Sequence, residues 1–174
     1  MTIHRRQILG LAAAAALAPL AGPLRAAGRL DVVATTGMIA DCARQIGGDL
    51  LSVRALMGPG VDPHAYRQTR SDIVALTRAG MIMRHGLYLE AQMEDLFAKF
   101  ARRGTLFTVG QSVPEDRLIV HSDYADKKDP HVWMVPRLWS FAAKGIGDAL
   151  IERLPDHRDR LAASTAAYLD RLDR

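Results

Sequence analysis

The sequence predicts an α/β fold: an open, mostly parallel sheet flanked by helices, ending in part of a long helix. Three observations predict it. Short apolar or alternating runs recur four times between residues 30 and 110, the first three are each followed by apolar residues at helical spacing, and glycine- or proline-rich turns separate the two kinds. Strands that alternate with helices pair in parallel, because each helix returns the chain to the starting end of the sheet.

The first 27 residues stand outside that pattern. "MTIHRRQILGLAAAAALAPLAGPLRAA" has a basic head at Arg5 and Arg6, an apolar run from Ile8 to Ala18, and small residues at Ala26 and Ala27. This is the layout of a cleavable export signal, and the apolar run is shorter than the ~20 residues a membrane span needs. Arg5-Arg6 followed by Gln7-Ile8-Leu9 also resembles a twin-arginine signal. No cysteine sits at the expected cleavage point, which argues against a lipid-anchored start. Three of the 23 basic residues, Arg5, Arg6 and Arg25, fall in this segment and none of the 19 acidic ones does, so the formal charge of +4 drops to +1 in the remainder. No run of the remainder supplies the basic face that a nucleic-acid partner requires.

Residues 28–154 carry the sheet pattern. "LDVVAT" (30–35) is an apolar strand, and "GMIADCARQIGG" (37–48) is a helix with Met38, Ile39, Cys42 and Ile46 on one face before a double-glycine stop. The single cysteine, Cys42, belongs to that apolar face as a small buried side chain. "LSVRALM" (51–57) alternates like a strand, 71–80 is helical, "MIMR" (81–84) is a strand, 89–104 is a helix with the stripe Met93, Leu96, Phe97 and Phe100, and "TLFTVG" (105–110) is the fourth strand. In the polar stretch that follows, "RLIV" (117–120) reads as one more short strand, and Pro136 opens a helix. Residues 155–174 form a further helix with Leu161, Tyr168, Leu169 and Leu172 at helical spacing.

Within this frame one tripeptide occurs twice: Asp62-Pro63-His64 and Asp129-Pro130-His131. Ligands of open α/β sheets bind beyond the carboxyl ends of the strands, and both histidines map to that rim, His64 after the second strand and His131 just before the helix at Pro136. Proline stiffens each turn, so the two rings can be aimed at one point. Two readings are open. Each histidine is a solvated loop residue after an Asp-Pro turn, or the pair binds zinc, manganese or iron, with Asp62 and Asp129 accepting a hydrogen bond from the ring nitrogen that is not on the metal. A metal held on two histidines could also activate water, as in a hydrolase, but no third ligand with a general base, no Gly-X-Ser-X-Gly and no His-Glu-X-X-His accompanies them.

The segments "VVATTGMIADCARQIGGD", "ALMGPGVDPHAY" and "DPHVWMVPRLW" resemble the metal-binding receptors of bacterial ABC importers, solute-binding protein family 9. That resemblance implies two α/β lobes joined by a long helix, with a divalent manganese, zinc or iron ion held between them and delivered to a membrane permease in the periplasm, without substrate chemistry. His64 and His131 correspond to the two N-terminal-lobe ligands. Residues 155–174 correspond to the start of the interlobe helix, and the C-terminal lobe has no counterpart, so a truncated receptor, or a remnant without useful affinity, is the expectation. Helix 155–174 is then expected to have little to pack on beyond its own lobe. Two local departures stand out: Val135 where the family commonly has Asp, and His85 where it usually has Asn. His85 is expected near the site rather than on the metal. The segment before the second motif holds only His121, so the long histidine-rich loop of some zinc receptors is absent, which leans toward manganese or iron with zinc still open.

Overall fold

The computed structural model describes residues 28–122 and 124–174; the export signal expected over 1–27 lies outside them. Four strands, β1 (Leu30–Ala34), β2 (Leu51–Ala55), β3 (Met81–Arg84) and β4 (Leu106–Thr108), form one fully parallel sheet in the order β2-β1-β3-β4. Between them run α1 (Gly37–Gly47), α2 (Arg70–Arg78) and α3 (Glu94–Ala101), and beyond them α4 (Pro136–Arg153) and α5 (Arg158–Leu172). The expected α/β architecture is therefore present. Successive strands are laid to one side of β1 and then to the other, so the loops leaving β1 and β3 part at the middle of the rim, where such sheets bind ligands.

Val32, Val33 and Ala34 of β1 and Met81, Ile82 and Met83 of β3 are apolar and buried because both faces of the sheet are covered there. Val32, Ala34, Met81 and Met83 face α1, α4 and α5, whereas Val33 and Ile82 face Leu76 of α2 and Met93, Phe97 and Phe100 around α3. Phe97 is 1% exposed, and Phe97→Ala would cost about 3–5 kcal/mol. Helix α1 buries Ile39, Ala40, Cys42, Ala43 and Ile46 on one face and stops at Gly48, whose φ of 55° only glycine adopts without strain. Burial pushes the Cys42 thiol up to about 12, which keeps it a neutral core side chain.

Helix α5 packs more fully than its sequence suggests. Leu161, Thr165 and Tyr168 are buried against α1 and α4, and Thr165 sits so close to Gly147 that a Cβ there would lie 2.3 Å from its hydroxyl oxygen. The Trp139 indole donates to the Tyr168 hydroxyl at 3.2 Å. Helical spacing had marked Leu161 and Tyr168 as apolar, but the partner helix becomes apparent only when α4 is seen to carry Gly147 at the crossing.

Three expectations are corrected. "RLIV" is not a strand: Glu115–Arg117 form a 3₁₀ turn after Pro114, and Val120 makes one isolated antiparallel bridge to Lys128, leaving Ile119 and Val120 exposed. The helix expected from residue 89 begins at Glu94, because Leu87 and Tyr88 take positive φ values of 51° and 66° that hold the chain in a tight loop first. The fourth strand ends at Thr108, where a 3₁₀ turn over Val109–Ser112 takes over.

Candidate metal centre

The repeated tripeptide makes the same turn twice. The Asp62 carboxylate accepts the backbone N–H of His64 at 2.9 Å, and the Asp129 carboxylate accepts that of His131 at 2.8 Å. The intervening proline has no N–H to compete, so the aspartate bonds two residues on and closes an Asx turn. Beyond this the two turns differ. Asp129 also accepts from the ring Nδ1 of His131 at 2.8 Å, whereas Asp62 bonds the backbone of His64 and not its ring. Of the two aspartate-to-ring hydrogen bonds expected, the one at Asp129 is present and the one at Asp62 is not. Although burial pushes the Asp129 carboxyl up, the backbone and ring hydrogen bonds of His131 hold it below the usual carboxylate range.

The two rings meet on the carboxyl rim. Their Nε2 atoms lie 3.4 Å apart, with ring centroids at 5.4 Å and planes tilted by 43°. With its Nδ1–H directed at Asp129, His131 turns the lone pair of Nε2 toward His64. Two nitrogens 3.4 Å apart, each about 2.1 Å from a common ion, subtend roughly 110° at that ion, the tetrahedral angle. Among the described residues no group of three or more His, Cys, Asp or Glu side chains could hold a metal, so two imidazoles are what this surface offers.

Each turn is held by its own support. Tyr66, two residues after His64, donates its hydroxyl to Asp72 at 2.6 Å, and burial, with Asp72 beside it, pushes the phenol up to about 12. Asp72 is 4% exposed, completes a capping box with Thr69 at the start of α2, and pairs with Arg54 of β2 at 3.3 Å. Behind His131 the fully buried His85 meets the Pro130 carbonyl through Nε2 at 2.6 Å, and burial lowers its pKa to about 4, so it is neutral. Glu90, also fully buried, accepts the backbone N–H of His85 at 2.6 Å and of Gly86 at 3.0 Å, and the Thr35 hydroxyl at 2.6 Å. Burial raises its pKa against those three bonds. His85 therefore lies behind the pair, with Nε2 already engaged. Val135 is the N-cap of α4 and makes no side-chain cap bond, so the position where an acid would cap the helix is uncapped.

Sequence reasoning missed Glu90, Tyr66, Asp72 and Trp133. Trp133 touches both His85 and His131, its ring 5.1 Å from the first and 5.2 Å from the second. It also walls an apolar groove of about 500 Å³ with Met38, Met57, Pro59 and Val61. A capping-box spacing from Thr69 was the one available signal for Asp72; nothing local marks Glu90 as buried.

A four-stranded parallel sheet covered on both faces, with a pair of imidazoles meeting on its carboxyl rim, is the architecture of a ligand-binding α/β lobe. The chain belongs to the ZnuA family, described as "Zinc-uptake complex component A periplasmic", whose pattern matches residues 32–174. It is 36% identical over 144 residues to the manganese-binding lipoprotein MntA of Bacillus subtilis, covering 83% of this chain and 47% of that protein. It is 34% identical over 147 residues to the zinc-binding protein TroA of Treponema pallidum, covering 84% and 47%. The solved structure of that periplasmic zinc-binding protein superimposes with a TM-score of 0.80 at 34% identity, over 84% of this chain and 52% of that one. The chain thus spans about half the length of the relatives it matches.

Proposed function

We propose that this chain supplies the N-terminal metal-capturing lobe of a periplasmic solute-binding receptor, in which His64 and His131 ligate a divalent manganese, zinc or iron ion destined for the permease of an ABC importer. The observation that carries this reading is the 3.4 Å approach of the two Nε2 atoms, spaced for a tetrahedral ion. Support comes from the manganese- and zinc-binding relatives, and from exposed Val61, Met134 and Val135 around the pair, which suit a surface covered by a second lobe. The ion is cargo, so the chemistry required is capture and release rather than bond cleavage, and the protein is read as a receptor and not an enzyme. Export by a cleavable signal over residues 1–27, with the twin-arginine route as its finer form, belongs to the same reading.

The role of each residue follows from its bonds. Asp129 fixes the His131 tautomer that leaves Nε2 free to ligate, and Asp62 and Tyr66 hold the turn that brings His64 opposite. The remaining coordination positions fall to water or to donors outside the described residues. Calorimetric titration with manganese(II) and zinc(II) tests the assignment: His64→Ala and His131→Ala are each expected to abolish the site, and unchanged affinity in both variants would refute it.

A further inference from the structure

We propose that His85 is the positioning residue of the metal site, clamping the Asp129-Pro130-His131 turn from beneath through the Pro130 carbonyl and so setting the ring of His131. This rests on the reading of His131 as a ligand, and it adds a residue that never touches the ion.

The clamp can be followed bond by bond. A carbonyl oxygen only accepts, so the 2.6 Å contact with Pro130 puts the proton of His85 on Nε2. Nδ1 of His85 is then left with a lone pair, and it is a buried atom without a hydrogen-bond partner. Flipping the ring would forfeit the one bond it makes, so the side chain has a single satisfactory pose. The backbone on which it stands is equally fixed. Glu90 accepts its N–H, Gly110 donates to its carbonyl at 2.8 Å, and the same Glu90 carboxylate accepts the Thr35 hydroxyl. His85 is thereby tied to the ends of β1, β3 and β4 at once. Its edge also meets Trp133, which in turn lies against His131, so the turn is held from the carbonyl side and from the aromatic side. Among the described residues no comparable clamp reaches His64, whose turn is held through Tyr66.

The consequence is that the Asp129 to His131 ring bond depends on a residue 46 positions away from His131 in sequence. If Pro130 were released, the Asx turn alone would have to hold the ring at the surface, where water competes for both partners.

Glutamine and methionine have nearly the same length and shape, and only glutamine keeps an N–H donor at the reach of Nε2. The test therefore compares His85→Gln with His85→Met. In metal-free protein at mildly alkaline pH, long-range ¹H–¹⁵N spectra report the tautomer of His131; titration with manganese(II) or zinc(II) then reports affinity. His85→Met is expected to convert the single Nδ1–H tautomer of His131 into a mixture and to weaken metal binding by roughly 10- to 100-fold, while His85→Gln keeps both. A tautomer unchanged in the folded methionine variant overturns the proposal, as does equal loss in the two variants, which would make His85 a packing residue. If His131 responds to His85 in the absence of metal but the wild-type chain binds no ion, the clamp stands and the receptor reading fails.

Discussion

The turn that carries His64 and the turn that carries His131 are built from the same tripeptide but held by different means. The first hangs on a loop after β2, an edge strand, and is moored at its far side by Tyr66 and Asp72. The second is seated on the buried His85 and Glu90 at the centre of the rim, and its aspartate grips the ring as well as the backbone. Identical local sequence gives an identical backbone turn. The direction of each imidazole comes from what lies under the turn, and that is a tertiary property.

Breaking the mooring of the first turn should have the largest effect. Asp72 accepts from Thr69, Tyr66 and Arg54, so Asp72→Ala strands the Tyr66 hydroxyl and removes the carboxylate half of the α2 capping box, for an expected loss of about 3 kcal/mol in urea denaturation. A loss below ~1 kcal/mol would mean that the mooring is not structural. Its acid dependence has a definite sign. Burial opposes ionisation of Asp72, yet the bonds from Tyr66 and Thr69 and the charge of Arg54 hold its carboxyl below the ordinary value. The stabilisation is therefore complete above the unfolded-state pKa and is lost as pH falls through the lower folded value, and Asp72→Asn should flatten that part of the profile.

The next effect sharpens the contrast between the aspartates. Asp129→Asn removes the ring acceptor charge and should weaken metal binding by roughly 10- to 100-fold, whereas Asp62→Asn, which touches only backbone, should weaken it less. Equal losses in titrations of the two variants would show that the ring bond is incidental. The smallest effect lies just beyond the second turn. Val135→Asp would supply the side-chain cap that the start of α4 lacks, and a gain of about 1 kcal/mol in the same denaturation assay is expected.

Much of the sheet was legible because the inner parts of β1 and β3 are buried on both faces, which writes Val32, Val33 and Ala34 and then Met81, Ile82 and Met83 as short apolar runs, and because Gly48 marks the end of α1. "RLIV" misled for the opposite reason: Ile119 and Val120 are apolar yet exposed, at 69% and 60%, so composition there does not report burial. At the candidate site the duplicated tripeptide drew attention to His64 and His131, and their mutual approach agrees with the expected convergence on one rim. Glu90 could not be found that way. Its carboxylate is buried only because Thr35, His85 and Gly86 converge on it from two different strand ends, and no periodicity encodes a meeting of loops.

The histidines stand 67 positions apart and enter the rim from opposite edges of the sheet, one after β2 and the other after the chain has left β4. An ion held by both rings is therefore a detachable staple across the whole lobe. A permanent link closing a loop of that length would be worth about 4 kcal/mol through the lost freedom of the unfolded chain, and a reversible one adds stability according to how far the free ion exceeds its dissociation constant. Under the proposed receptor reading, supply of cargo would then be written into the lifetime of its carrier: chains that had captured an ion would resist opening and proteolysis, and chains starved of it would be the first to be cleared.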